Sequence, residues 1–330
     1  MSILVTGGAG YIGSHCVAEL VRRGNEVVVL DNLSKGHRKA VRNAKFYKGD
    51  LRDTVFVDRV FRENRIEAVI HFAASSLVGE SCALPLDYFQ NNIGGSMSLL
   101  ERMAAHGVKN IVFSSTAATY GEPRRVPIEE TDPQIPTNPY GESKLSVEKV
   151  LKWCEIAYGI RFAALRYFNV AGADASGEIG EAHQPESHLI PIILKTALGE
   201  RESVQVFGSD YPTADGTCVR DYIHVSDLID AHLLALEYLK AGGKSDAFNL
   251  GNGEGFSVRQ VIETAKQVTG RPIKVIESGR RAGDPAVLIA SSKKAMDVLR
   301  WSPKKADLSE IVASAWNWHT KHPDGYGDEN

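Results

Sequence analysis

"ILVTGGAGYIGSH", residues 3–15, decides the fold of this 330-residue chain. An aliphatic run leads directly into glycines at 7, 8, 10 and 13, and helical periodicity starts at residue 12. Residues without a Cβ let backbone approach a pyrophosphate closely, and the positive N-terminus of the following helix then receives that charge. The spacing satisfies G-x-x-G-x-x-G from Gly7 and G-x-G-x-x-G from Gly8. A glycine pattern alone is weak evidence, but here it lies between a strand and a helix, as a dinucleotide fingerprint requires. Asp31 closes the next β-rich run, "EVVVL" (26–30), where an acid meets ribose hydroxyls and repels a 2′-phosphate. The cofactor expected is therefore NAD.

Outward from this loop, strand-like and helix-like stretches alternate. "KFYKGD" (45–50), "EAVIHFAA" (67–74), "NIVFSST" (110–116) and "RFAALRYFNV" (161–170) read as strands. Helical periodicity covers 12–23, 53–64, 87–106 and 141–158. This alternation predicts an α/β fold, a Rossmann-type doubly wound parallel sheet with ligands at the carboxyl ends of its strands. Asp50 and "HFAA" (71–74) then fall along the same crevice. Beyond residue 170 the elements shorten: helices near 188–199, 226–240, 257–268 and 307–320, and strands at 204–207 and "AFNLGN" (247–252). We expect an NAD-binding domain over 1–170, with late sheet strands interleaved from 215–255. A smaller C-terminal substrate-binding lobe fills most of 171–330.

A formal net charge of −3 gives no basic field for nucleic acid or an anionic membrane. Cys16, Cys82, Cys154 and Cys218 are scattered without metal-ligand spacing, so free buried thiols are expected and no metal site is assigned. No leader or long apolar segment precedes "ILVTGG", which points to a cytoplasmic protein without a membrane span. The histidines, His71 and His224 among them, are expected to be structural.

"TNPYGESKL" (137–145) sets Tyr140 and Lys144 one turn apart, behind a proline that suits a helix start. On most helices such a pair is a solvated edge. Its chemical use is different. A free phenol titrates near 10, but a nearby cation and a bound nicotinamide stabilise phenolate. Tyr140 can then take a proton from a substrate hydroxyl while hydride leaves the same carbon. "FSSTAATYG" offers Ser114, Ser115 and Thr116 as the hydroxyl donor.

With Y-x-x-x-K and a preceding Ser/Thr, the chain resembles the extended short-chain dehydrogenase/reductases. "TGGAGYIGSH", "LDNLS", "VIHFAA", "VGES", "NPYGESK", "LRYFNVAGA", "GTCVRDYIHVSDL" and "RRAGDPA" resemble the UDP-glucose 4-epimerases among them, from about residue 2 to the tail. The resemblance implies Tyr140 as base, Lys144 as its partner and Thr116 as hydroxyl donor. It places cofactor contacts at Gly7, Gly10, Tyr11, Ile12, Gly13, Asp31, Asn32, Asp50, Leu51, Phe72, Ala73, Ala74, Asn91 and Phe168, besides Tyr140 and Lys144.

The reaction so implied interconverts UDP-glucose and UDP-galactose. Hydride passes from sugar C4 to tightly held NAD+, the 4-keto sugar turns about its pyrophosphate linkage, and hydride returns to the other face. Arg220 and Arg281 are the implied diphosphate clamps, suited to bidentate contact. Asp284 holds ribose, Leu189, Val206 and Phe207 flank uridine, and Asn169 touches the sugar. His188 stands where many relatives have Asn, and Ser76 where some have Lys. Some relatives that reject N-acetylated sugars carry Tyr at the position of Leu288. The smaller residue implies space for UDP-N-acetylhexosamines. Helices near 87–106 and 138–158 form the homodimer interface in the family. Related dehydratases need an acid pair after the Thr, whereas Ala117 and Ala118 follow Thr116. A UDP-glucuronate decarboxylase or epimerase, or a non-enzymatic NAD-sensing regulator, is the weaker reading.

Overall fold

The computed structural model describes residues 1–281 and 284–327. Ala282 and Gly283 of "RRAGDPA", and the last three residues of the tail, lie outside the described residues. Six strands occur before residue 168: β1 (Ser2–Thr6), β2 (Glu26–Asp31), β3 (Lys45–Lys48), β4 (Ile66–His71), β5 (Asn110–Ser114) and β6 (Arg161–Tyr167). Among the described residues seven follow: β7 (Asn169–Ala171), β8 (Val204–Phe207), β9 (Val219–His224), β10 (Asp246–Leu250), β11 (Gly255–Ser257), β12 (Val275–Ser278) and β13 (Val287–Leu288).

The main sheet is parallel throughout, in the order β3-β2-β1-β4-β5-β6-β10. It is the expected Rossmann-type fold. The order reverses at β1, and this opens a crevice outside the carboxyl ends of β1 and β4. Successive residues of β1 serve opposite faces. Ile3 and Val5 join a core with Leu20 and Leu228, under the helices Tyr11–Arg22 and Val225–Lys240. Leu4 joins Val57, Leu99 and Leu151, under Thr54–Glu63, Gly95–Ala105 and Pro139–Tyr158. Each such fully buried aliphatic side chain contributes about 1.5–3 kcal/mol. A third core, with Ile193, Val204, Val206, Ile262 and Ile311, belongs to the later residues.

Three local expectations change. The run 161–170 is two strands, because the chain leaves the sheet after Tyr167 and Asn169–Ala171 pairs with β9. Within 215–255 only β10 enters the main sheet; β9 lies in a separate sheet with β7, β11 and β13. The helical stretch expected over 87–106 begins at Pro85 and contains a π-helical turn, Phe89–Gly94, which carries Asn91 and Asn92. Cys16, Cys154 and Cys218 are free and buried as expected, but Cys82 is exposed. Among the described residues no helix is long and apolar enough to cross a membrane.

Candidate active site

The glycine loop is built by steric necessity at two positions. Gly7 has φ +71°, and a Cβ there would lie 2.5 Å from the Ala73 nitrogen. A Cβ at Gly13 would lie 2.1 Å from the Gly7 oxygen. The close approach at Gly7 brings Phe72 and Ala73, just after β4, against the loop. Gly10 differs: a Cβ there meets only the Gly7 oxygen, at 3.4 Å, and otherwise open space. The helix Tyr11–Arg22 has neither a side-chain cap nor an acid in its first turn. Its first N–H groups and positive dipole end therefore remain for an external anion, as a pyrophosphate requires. This donor set fits NAD.

Around the loop, the expected cofactor residues take different postures. Asp31 is only 6% exposed and accepts from Ala9 N and Leu33 N at 2.9 and 2.8 Å. Burial pushes its carboxyl up and those two donors pull it back. Asp31 thus braces the loop while keeping unused lone pairs. Asp50 is gripped by Arg52, whose hydrogen bonds hold its carboxyl well below the usual range, and Asn32 donates to it at 3.2 Å. Leu51 is buried, and the Phe72 ring lies 4.7 Å from that of His232. Asn91 donates to the Ser75 hydroxyl at 3.2 Å. The Tyr11 hydroxyl donates to Gly172 O at 2.6 Å, so Tyr11 and the half-buried Ile12 offer the crevice backbone.

The helix Pro139–Tyr158 delivers the catalytic candidates. Asn138 caps it by accepting from Gly141 N at 2.9 Å, and Pro139 occupies its first turn. A Cβ on Gly141 would lie 2.5 Å from Ala118 O. Only glycine lets this helix reach the turn after β5. The Thr116 hydroxyl beside Tyr140 lowers the phenol pKa, against the larger upward push of burial. In the protein alone the phenol therefore lies above its ordinary value, the reverse of the direction expected from Lys144. Lys144, 3% exposed, donates to Ser114 O at 2.8 Å and lies 4.9 Å from the Phe113 ring centroid. Burial pushes its ammonium down to about 7, opposed by the Glu148 carboxylate.

Beneath this pair is a network that the sequence reading missed. Glu148 is 2% exposed and accepts from Arg166 Nε and Nη2 at 3.0 and 2.6 Å and from the Ser115 hydroxyl. Arg166 also donates to the Tyr120 hydroxyl, which donates to Asn249. Asn92 is missed as well; it accepts from Ser75 N and donates to the Ser143 hydroxyl. Only the K-L-S-V-E spacing, Lys144 to Glu148 at i+4, could have signalled the first of these. His71 and His224 are structural, as expected: His71 bridges the Thr6 and Ser96 hydroxyls at 2.6 and 2.9 Å, and His224 bonds Ser226 N and Ser314 Oγ.

The expected sugar-nucleotide residues lie on several late elements. Arg220 is paired with Asp284, and Leu288 lies beside it in register on β13. Arg281 stacks over Phe207, 3.8 Å from the ring centroid, and Leu189 opens the helix Leu189–Leu198. Phe168 and Asn169 are half-buried at the exit of β6. Val206 is the exception. It is 1% exposed within the third core, because alternation along β8 turns it inward while Phe207 turns outward. Its side chain cannot flank uridine; only its backbone can.

A family model described as the NAD dependent epimerase/dehydratase family matches residues 3–251. The UDP-glucose 4-epimerase of Halalkalibacterium halodurans is 59% identical over 100% of this chain and 99% of its own. A crystal structure of a UDP-glucose 4-epimerase superposes with a TM-score of 0.98 at 53% identity, covering 99% of this chain and 100% of that one. The UDP-glucose 4-epimerase from Bifidobacterium longum, solved with NAD+ and UDP, gives a TM-score of 0.93 at 41% identity over 98% and 100% of the two chains. On this evidence the chain belongs to the UDP-glucose 4-epimerases of the NAD dependent epimerase/dehydratase family.

Proposed function

We propose that this enzyme interconverts UDP-glucose and UDP-galactose by epimerisation at C4. The observation that carries this reading is the placing of Tyr140 beside the Thr116 hydroxyl and the buried Lys144, at the carboxyl end of β5 and across the crevice mouth from an uncapped helix. No carboxylate follows Thr116 to move a proton elsewhere on the sugar. Bound NAD supplies reversible hydride acceptance at C4. The protein does the rest. Tyr140 accepts the C4 hydroxyl proton and returns it, Thr116 orients that hydroxyl, and Lys144 supplies charge on the cofactor side. A partly deprotonated lysine is poised for this, because a pKa of about 7 lets its charge respond to the ligand.

The remaining assignments are part of the same proposal. Gly7, Gly10, Tyr11, Ile12 and Gly13 hold the pyrophosphate of NAD, with Asp31 and Asn32 at its ribose. Asp50, Leu51, Phe72, Ala73, Ala74, Asn91 and Phe168 line the cofactor. Arg220 and Arg281 hold the UDP diphosphate, with Arg220 exchanging Asp284 for phosphate. Asp284 holds the uridine ribose, Leu189 and Phe207 flank the base, and Asn169 meets the hexose. Leu288 leaves space for an N-acetyl group at C2, which supports acceptance of UDP-N-acetylglucosamine. We place the enzyme in the cytoplasm, consistent with its free thiols. It acts as a homodimer through the helices that expose Met97 (46%), Trp153 (70%) and Ile156 (75%).

The test uses purified protein and UDP-galactose with no cofactor added, following UDP-glucose. Prompt conversion is expected, and Tyr140→Phe should lose ~10²–10⁴-fold in kcat, the usual scale of acid–base catalysis. No conversion even with NAD present would remove the assignment.

A further inference from the structure

The segment "EAHQPESH" (181–188) lies outside the crevice residues assigned above and carries two carboxylates and two imidazoles in eight positions. The fold draws them to one point. One ligand atom from each of Glu181, His183, Glu186 and His188 lies within 4.8 Å of the others. Nδ1 of His183 and Nδ1 of His188 both lie 2.9 Å from the same Glu181 oxygen, and His188 Nδ1 is also 2.8 Å from Glu186 Oε1. These are three contacts, yet each Nδ1 carries at most one proton. Hydrogen bonds alone account for all three only if the His188 N–H is shared between two carboxylate oxygens.

A second observation points the same way. The Glu186 side chain is 3% exposed, and its Oε2 has no hydrogen-bond partner. Its other oxygen already takes Ser187 N and His188 N, both at 2.8 Å. The orphan oxygen faces the cluster, 4.0 Å from His183 Nδ1. A buried carboxylate oxygen with no donor is costly, and a cation placed among the four groups removes that cost.

We propose that Glu181, His183, Glu186 and His188 form a structural binding site for a tetrahedral divalent cation of the zinc class. Ligands about 2.0–2.2 Å from such an ion lie about 3.3–3.5 Å apart, inside the range seen here, which runs from 2.8 Å to no more than 4.8 Å. Two carboxylates neutralise the ion when both imidazoles are neutral. Mixed nitrogen and oxygen donors in so small a set favour zinc-like ions over calcium or magnesium, which take six or more oxygens. Four protein ligands fill a tetrahedron, so this is a brace rather than a Lewis acid for the sugar.

What it braces follows from its neighbours. Glu181 O accepts from Trp318 Nε1 at 3.0 Å and Ala182 O bonds His37 Nε2 at 2.8 Å. The His183 ring meets that of Tyr11 edge-on at 6.4 Å, and His188 immediately precedes the helix Leu189–Leu198. One ion would fix the glycine loop, the C-terminal helix and the helix bearing Leu189 to a single loop. The cluster therefore ties together the nucleotide-binding elements without touching the reacting atoms.

The experiment titrates untagged, chelator-treated full-length protein with Co2+ and follows visible absorption. Saturation at a single equivalent per chain is expected, with the intense bands of four-coordinate cobalt, no thiolate charge-transfer band from Cys82, and displacement by Zn2+. His183→Asn and the isosteric Glu186→Gln should each weaken Co2+ binding by at least ~10-fold. His183 is a quarter exposed, and Glu186→Gln keeps its volume, so at least one variant should fold. Absence of stoichiometric four-coordinate cobalt in the parent protein would overturn the proposal. So would a folded variant of either kind that binds as tightly as the parent.

Discussion

Replacing Glu148 with Gln should destabilise the protein and make Lys144 easier to deprotonate, both at once. Glu148 and Arg166 are 2% and 3% exposed, so neither charge has water to fall back on. Gln keeps the volume but removes the charge and turns an amide NH2 toward the guanidinium in place of one acceptor. Breaking a buried pair on one side costs about 3–5 kcal/mol. With about 2.1 cal/mol/K of unfolding entropy per residue over 330 residues, that becomes a Tm loss of about 4–7 °C. Glu148 also opposes the burial that pushes Lys144 down to about 7, so its loss should lower that pKa further. The alkaline limb of the kcat–pH profile should then move to lower pH. Circular dichroism melts with saturating NAD test the first effect and initial rates the second. A double variant, Glu148→Met with Arg166→Met, should recover much of the lost Tm, because apolar replacement removes both unpaired charges. A Glu148→Gln protein melting within ~1 °C of wild type would refute the reasoning.

Other consequences are equally direct. Burial and the Lys144 charge push His71 down to about 3, whereas in the unfolded chain it titrates near 6.5. Its stabilising contribution is present above about pH 6.5 and is lost as the pH falls toward about 3, because the unfolded chain takes up a proton that the folded one refuses. His71→Asn should therefore flatten the decline of the urea midpoint between about pH 7 and pH 5; equal slopes would count against the assignment. Leu288→Tyr should cut turnover of UDP-N-acetylglucosamine by at least ~10-fold while leaving UDP-galactose within a few-fold; parallel losses would mean that Leu288 does not face C2 of the hexose. Trp153→Glu should convert a dimer to monomers in sedimentation velocity, and an unchanged sedimentation coefficient would move the interface elsewhere.

The features legible in the sequence are those made by neighbours along the chain. Gly7 and Gly13 are forced by one turn, and Tyr140 and Lys144 share a face because they are four residues apart. Asp31 was legible as an acid closing β2, but its bonds to Ala9 and Leu33 required the folded loop. What could not be read depends on pairings distant in sequence. Tyr120 meets Asn249 across 129 positions and Arg220 meets Asp284 across 64. Strands of two or three residues, such as β7, β11 and β13, are too short to show a period and exist because β9 offers them an edge. The inward turn of Val206 illustrates the same limit: alternation was visible along "VQVFG", but which phase faced the core was set by the helices packed on it. In the protein alone the phenol pKa moves the other way for an electrostatic reason. Burial penalises phenolate more than the Thr116 hydroxyl offsets.

The central claim is that hydride leaves C4 and returns to the same carbon within one site. The measurement that tests it most directly is incubation of the enzyme with UDP-[4-²H]glucose in ordinary water, followed by mass spectrometry of the UDP-galactose formed. The account predicts that the product keeps its deuterium at C4. Loss of that deuterium to solvent, at the rate of epimerisation, would contradict it.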